Sequence, residues 1–198
     1  LTINCFDERG EEVVHESFRF DGGVVDFVDW LSNDGAVTDT WHIQGEGTFT
    51  ETVQALDPES GHLRAVETER ICEVDCALRW GIGYDAQLES FVNIIATPKG
   101  GTHVAGFEQA VLKVLRAQVD KNARKLKVSA KDGRPEKDDV LAGLTAVVTV
   151  RFPEPQFEGQ TKTRLGNSEV TGAVNQAVGE AFTNYLEEHP KEAKLIVD

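Results

Sequence analysis

The chain has 198 residues, 34 acidic against 20 basic side chains for a formal net charge of −14, three Cys and no Met. That length gives one large or two small cores, with a single mixed domain the better expectation, and no apolar run reaches the roughly 20 residues of a membrane span, nor does a signal peptide open the chain. The odd cysteine count argues against a disulfide framework, and the acidity argues against nucleic acid as a partner of the whole surface.

Leu1-Thr-Ile-Asn-Cys-Phe6 alternates, turns at Asp7-Glu-Arg-Gly10 and returns along a second alternating run, Glu12 to Phe20, which predicts a β-hairpin. Asp21-Gly-Gly23 then opens a helix whose Val24, Phe27, Val28 and Leu31 form one apolar face, stopped by Asn33-Asp34-Gly35. Residues 36–70 are polar, contain Pro58-Glu-Ser-Gly61 and show weak periodicity. They are expected to form a loop or variable insertion with one short strand near Thr48 to Gln54.

Ile71 to Trp80 puts Cys72, Val74, Cys76, Leu78 and Trp80 on one side and Glu73, Asp75 and Arg79 on the other, the pattern of a half-buried strand. Four residues of strand separate Cys72 from Cys76 by about 13 Å, too far for a bridge or a shared metal, so both are expected to be core thiols. The five histidines (15, 42, 62, 103 and 189) are scattered, and no zinc spacing emerges. A second strand is predicted over 86–96, joined to the first by Gly81-Ile-Gly-Tyr-Asp85.

Lys99-Gly-Gly-Thr-His103 leads into a long helix to about Leu126, with Phe107, Val111, Val114 and Leu115 apolar. Its glycines could cradle a phosphate, although a tight strand-to-helix turn is their commoner use. Charge is uneven: residues 1–90 carry a net −15 and residues 91–198 a net +1, with nine bases against three acids between Lys113 and Lys137. On a helix, Lys113, Arg116, Arg124 and Lys127 share a face that could meet a DNA phosphate backbone or simply be solvated.

Residues 128–137 read as a charged loop, Asp138-Asp139 as the cap of a short helix, and Leu144 to Val150 as a β-branched strand ended by Arg151-Phe152-Pro153. Glu169 to Glu188 repeats apolar residues at 3.6-residue spacing from Val170 to Leu186, capped by Asn167 or Ser168 and stopped by Pro190. Between that strand and that helix lies Gln160-Thr-Lys162. An amide donor and a point-charge ammonium together suit a terminal phosphate. Two unit charges about 4 Å apart gain only about 1 kcal/mol in water but roughly 4 at an effective dielectric near 20. The loop therefore needs a second surface to exclude water, and taken alone it is an ordinary solvated turn.

The pattern predicts an α+β or α/β fold with one sheet covered by helices. Leu1-Thr-Ile with Asp7-Glu-Arg9, Gly22-Gly23 before Val25-Asp-Phe27, Gly100-Gly-Thr-His103 with Gly106-Phe107, Asp139-Val140 with Gly143-Leu144, Gln156-Phe157 with Gln160-Thr-Lys162, and Glu169-Val170 follow one another at domain-wide spacing. In that order they resemble the transducer domain of the ATPase (B-type) subunit of bacterial type IIA DNA topoisomerases, the gyrase and topoisomerase IV family. The resemblance covers nearly the whole chain, most loosely at 36–70 and 128–137.

It implies an α+β domain like the second domain of ribosomal protein S5, one mixed sheet covered by helices, spanning 1–198 as an excised piece. A GHKL ATP-binding domain would precede it and a Toprim domain follow. Gln160 and Lys162 would contact the ATP γ-phosphate, coupling ATP binding and hydrolysis to gate closure and to passage of one DNA duplex through another. ATP and Mg2+ would be bound mainly by the preceding domain, so no catalytic and no metal-binding residue is expected in the fragment. Neither Tyr84 nor Tyr185 corresponds to the strand-cleaving tyrosine, which belongs to the partner subunit. The implied partners are double-stranded DNA, the A-type DNA-cleaving subunit and a second B-type subunit, in the bacterial cytoplasm at the chromosome. Glu108 stands where relatives often carry Arg, against a DNA contact there. Two alternatives stay open: a non-catalytic interaction module whose acidic first half docks a basic partner, and the equivalent domain of a mismatch-repair GHKL ATPase.

Overall fold

A computed structural model describes residues 2–10, 12–58, 61–126 and 134–197. The opening hairpin is present as β1 (Thr2–Asp7) and β2 (Val14–Arg19), antiparallel from Thr2 opposite Arg19 to Asp7 opposite Val14. It forms its own two-stranded sheet, with Ile3, Phe6, Val14 and Phe18 exposed. Helix α1 (Val24–Leu31) follows, and Val28 and Leu31 pack on Ala77 and Val147.

The main sheet has five strands in the order β3-β4-β7-β5-β6: β3 (Trp41–Leu56), β4 (Leu63–Trp80), β5 (Gln87–Val92), β6 (Ile95–Ala96) and β7 (Leu144–Arg151). Only β5 and β7 run parallel. The expected mixed sheet and α+β class are therefore observed.

Residues 36–70 overturn the expectation of a loop. β3 and β4 form one long antiparallel ribbon, paired from Trp41 opposite Leu78 to Leu56 opposite Leu63. Its alternation is real but disguised, because two of its core-facing positions are Gly45 and Gly47. A Cβ on Gly47 would lie 2.2 Å from the Ala173 carbonyl oxygen, so the glycine lets a helix lie against the strand. Since β4 pairs with β7 only from Glu73 to Trp80, the ten residues Leu63–Cys72 and their β3 partners extend past β7 as an arm of about 30 Å. Past Phe49 and Cys72, which still reach the core, its Thr, Glu and Gln residues suit an arm with no core to cover.

The strand expected over 86–96 is split by a turn. Asn93 and Ile94 take φ of 48° and 79°, and the chain folds back as β6. Asn93 holds that turn, with its side chain bonded to both backbone groups of Phe152.

Helix α2 (Thr102–Leu126) runs as predicted, and α3 (Lys137–Leu141) begins one residue earlier than its expected cap. Glu136 is the N-cap, and Asp139 reaches back to accept its N–H at 2.8 Å. Helix α4 (Ser168–Glu188) buries the predicted stripe, including Val170, Val174, Val178 and Phe182, and Pro190 opens a further helix, α5 (Pro190–Val197), at the first-turn position proline tolerates. Cys72 and Cys76 are core thiols as expected, burial pushing Cys72 up to about 12 and Cys76 higher still. Most of the loop expected at 128–137 lies outside the described residues. Among those described, no helix is long and apolar enough to cross a membrane.

The main core lies between the sheet and α2 with α4. Trp41, Trp80 and Phe182 form its aromatic centre, with ring centroids 5.6 to 6.5 Å apart. Trp80 also donates its indole N–H to the Val140 carbonyl, tying α3 to the sheet.

Candidate functional site

Residues 152–167 leave the end of β7 and return to the start of α4, so both stems of this loop rise from the core. Phe152 is buried, set edge-on against Phe49 of β3 with centroids 5.7 Å apart. The loop then folds on itself. Phe157 bridges Leu165, the Glu158 N–H donates to the Arg164 carbonyl, and the Gly166 N–H donates to the Gln156 carbonyl. Asn167 stands at the N-cap position of α4, but its side-chain oxygen accepts the Gln156 N–H at 2.7 Å instead of capping the helix.

The returning stem docks on the Gly100-Gly101 turn that precedes α2. The Lys99 N–H donates to the Thr163 carbonyl, the Leu165 N–H to the Gly100 carbonyl and the Thr102 N–H to the Leu165 carbonyl. A Cβ at Gly101 would sit 2.4 Å from the Leu165 oxygen, and φ there is +136°. The glycines serve here as a turn and a docking surface, with the N–H groups of Lys99, Gly100 and Thr102 all bonded to carbonyls.

Below that turn His103 is fully buried. Its Nε2 lies 3.2 Å from the Thr97 hydroxyl, which also meets Ser90, while Nδ1 has no partner among the described residues. Burial lowers its pKa to about 4, so it is neutral at physiological pH. It is a packing group under the loop's footing.

The tip, Gly159-Gln160-Thr161-Lys162, closes with the Lys162 N–H on the Gly159 carbonyl at 3.4 Å, and Gly159 and Lys162 both take positive φ. Gln160, Thr161 and Lys162 are exposed. The Lys162 ammonium lies 6.0 Å from the Phe157 ring centroid, at the outer limit of a cation–π contact, and forms no ion pair among the described residues. The neighbouring charges Arg164 and Glu158 pair with each other at 3.3 Å. An amide and an ammonium thus stand side by side on a tip whose stems are fixed, a donor set that fits an anionic oxygen brought from outside. No group of three His, Cys, Asp or Glu side chains stands together to hold a metal among the described residues.

The basic face of α2 is less uniform than its sequence suggests. Lys113 is exposed and lines a groove of about 620 Å³ between α2 and α4, with Gln109, Asn175 and Glu180. Arg116 is half-buried and donates from Nε to the Pro135 carbonyl at 2.7 Å, so it secures the segment before α3. The side chain of Arg124 and the whole of Lys127 lie outside the described residues. Glu108, read from sequence as unfavourable to DNA, takes the Lys137 ammonium at 2.6 Å.

The sequence left a charge cluster at the base of the arm unread. Arg70 of β4 meets Glu51 of β3 at 3.4 Å and Glu154 of the loop at 3.0 Å. The only signal was the alternation of residues 48–70, which places Glu51 and Arg70 on one face once the ribbon is recognised.

The family model for DNA gyrase B matches residues 23–198. The DNA gyrase B protein of Cytophaga hutchinsonii is 39% identical over 193 residues, 96% of this chain and 35% of that protein, and its Streptomyces coelicolor counterpart is 38% identical over 96% of this chain and 26% of its own length. Among solved structures, the 43K ATPase domain of Thermus thermophilus gyrase B, in complex with an aminocoumarin, superposes with a TM-score of 0.68 at 31% identity, over 92% of this chain and 43% of that one. The topoisomerase IV ATP binding domain of Francisella tularensis, in complex with a small-molecule inhibitor, gives 0.66 at 27% identity over all of this chain and 46% of that one. The chain therefore spans about a third of the length of such curated relatives.

Proposed function

The chain belongs to the DNA gyrase B family, and from that premise we propose that it is the transducer region of an ATP-dependent type IIA DNA topoisomerase. In this reading the 152–167 loop senses the γ-phosphate of ATP held by a preceding GHKL domain. Lys162 supplies a positive charge to the terminal phosphate, and Gln160 donates an amide hydrogen bond beside it. Bound ATP supplies the phosphate whose presence or loss is read, with Mg2+ held by the same preceding domain. The observation that carries the proposal is the contrast within the loop: stems that continue β7 and α4 and are bonded to the turn before α2 and to the Asn93 and Asn167 side chains, and a tip whose two donors face solvent.

Fixed stems make the tip a rigid extension of the sheet. A contact made there by a phosphate would hold the whole region in one orientation, and its loss would free it to swing. In open water an ammonium–phosphate contact is weak, so it gains strength only as a second domain closes over it and excludes solvent. The β1-β2 hairpin is consistent with such a partner. It lies outside the span of the family model and exposes Ile3, Phe6 and Phe18, a surface suited to burial against the preceding domain.

The same reading extends to the wider assembly: closure of a homodimer of B-type chains coupled to passage of one DNA duplex through another, with cleavage by the A-type chains, at the chromosome in the cytoplasm. Lys113 is the described member of the basic α2 face best exposed to meet DNA, whereas Arg116 is engaged within the fold. Lys162→Ala in the full-length protein is expected to leave folding intact, since exposed substitutions usually cost within about 0.5 kcal/mol, yet to cripple ATP turnover. Wild-type turnover in that variant would remove the assignment.

A further inference from the structure

We propose that Arg70, on the protruding β3-β4 arm, is a positioning residue for the phosphate-sensing loop, acting through Glu154. This rests on the sensor reading of that loop.

The geometry comes from both sides of the contact. Arg70 Nη2 reaches Glu154 Oε2 at 3.0 Å while its Nε faces Glu51 Oε2 at 3.4 Å, so one guanidinium joins the loop to the facing strand of the arm. Glu51 also accepts the Gln156 side-chain amide at 3.5 Å. The arm base thus touches the entry stem of the loop at two side chains, Glu154 and Gln156.

Glu154 is the residue of the entry stem that needs holding. Its φ is +54°, a region L-residues enter at a cost, and Pro153 and Pro155 flank it, the second narrowing its choices further. Its carboxylate is largely exposed, with Arg70 the cation that meets it. The other stem anchors are backbone bonds, buried rings and the amide side chains of Asn93 and Asn167, so among the described residues this ion pair is the charged link between the stem and the arm.

An exposed ion pair of this kind is expected to change the nucleotide response by about two- to five-fold. The test uses the full-length protein and a non-hydrolysable ATP analogue, reading the analogue concentration that gives half-maximal dimerisation together with the melting temperature. Glu154→Gln, at an exposed site, is expected to raise that concentration about two- to five-fold with the melting temperature unchanged. Arg70→Gln should do at least as much, and adding Glu154→Gln to it should cause no further rise, because both remove one contact. An unchanged analogue response in Glu154→Gln, or effects of the two changes that simply multiply, would overturn the proposal. Lys162→Ala is measured in parallel. If it shifts the response and Glu154→Gln does not, the Arg70 proposal alone fails; if Lys162→Ala has no effect, the sensor reading fails and takes this proposal with it.

Discussion

Gly101 shows how much of the site depends on single atoms. Its missing Cβ is what lets Leu165 lie against the turn before α2, and Gly101→Ala meets both a 2.4 Å clash with backbone and an unfavourable φ. That substitution is expected to cost roughly 1–3 kcal/mol, read as a lower urea midpoint, because the neighbour that must yield is main chain. His103 makes a pH prediction. Its pKa is about 4 in the fold and about 6.5 when unfolded, so the unfolded state takes up the proton first. Its contribution to stability is full above about pH 6.5 and is lost as pH falls toward 4, at up to about 1.4 kcal/mol per pH unit. Urea titrations at pH 7 and pH 5 should show that loss, and His103→Gln should flatten it. Gln160 and Lys162 could be singled out from residue type and from their place between a strand and a helix. Arg70 and Glu154 could not, since 84 positions separate them and only the pairing of β4 with β7, in register from Glu73 opposite Arg151, brings them together.

Elements with a regular residue pattern were legible and the one that lacked it was not. The α4 stripe from Val170 to Leu186 has the 3.6-residue period because one side meets the sheet, and β7 reads as strand because it is rich in β-branched residues. The β3-β4 arm broke both signals. Glycine replaces apolar residues where a helix presses on β3, and beyond Phe49 and Cys72 no core selects an apolar side. The same exposure predicts tolerance: replacing residues 54–65 by a two-residue turn should change stability by no more than about 1 kcal/mol, as thermal denaturation would report. A larger loss would mean that the arm tip contributes to the fold.

At the scale of the molecule, the sheet, α2 and α4 form a body with one loop footed on three of its elements and an apolar hairpin set apart from the core. Composition pointed to a mixed domain and the ordered blocks pointed to a family, but neither could reveal that the loop's stems are bonded through their backbone while its tip is exposed. That division of labour is what a sensor of a phosphate bound elsewhere requires. The most direct test is amine-reactive labelling of Lys162 in the full-length protein with no nucleotide, with ADP and with a non-hydrolysable ATP analogue. Protection of Lys162 by the triphosphate and not by ADP is the predicted result; equal labelling in all three states would contradict it.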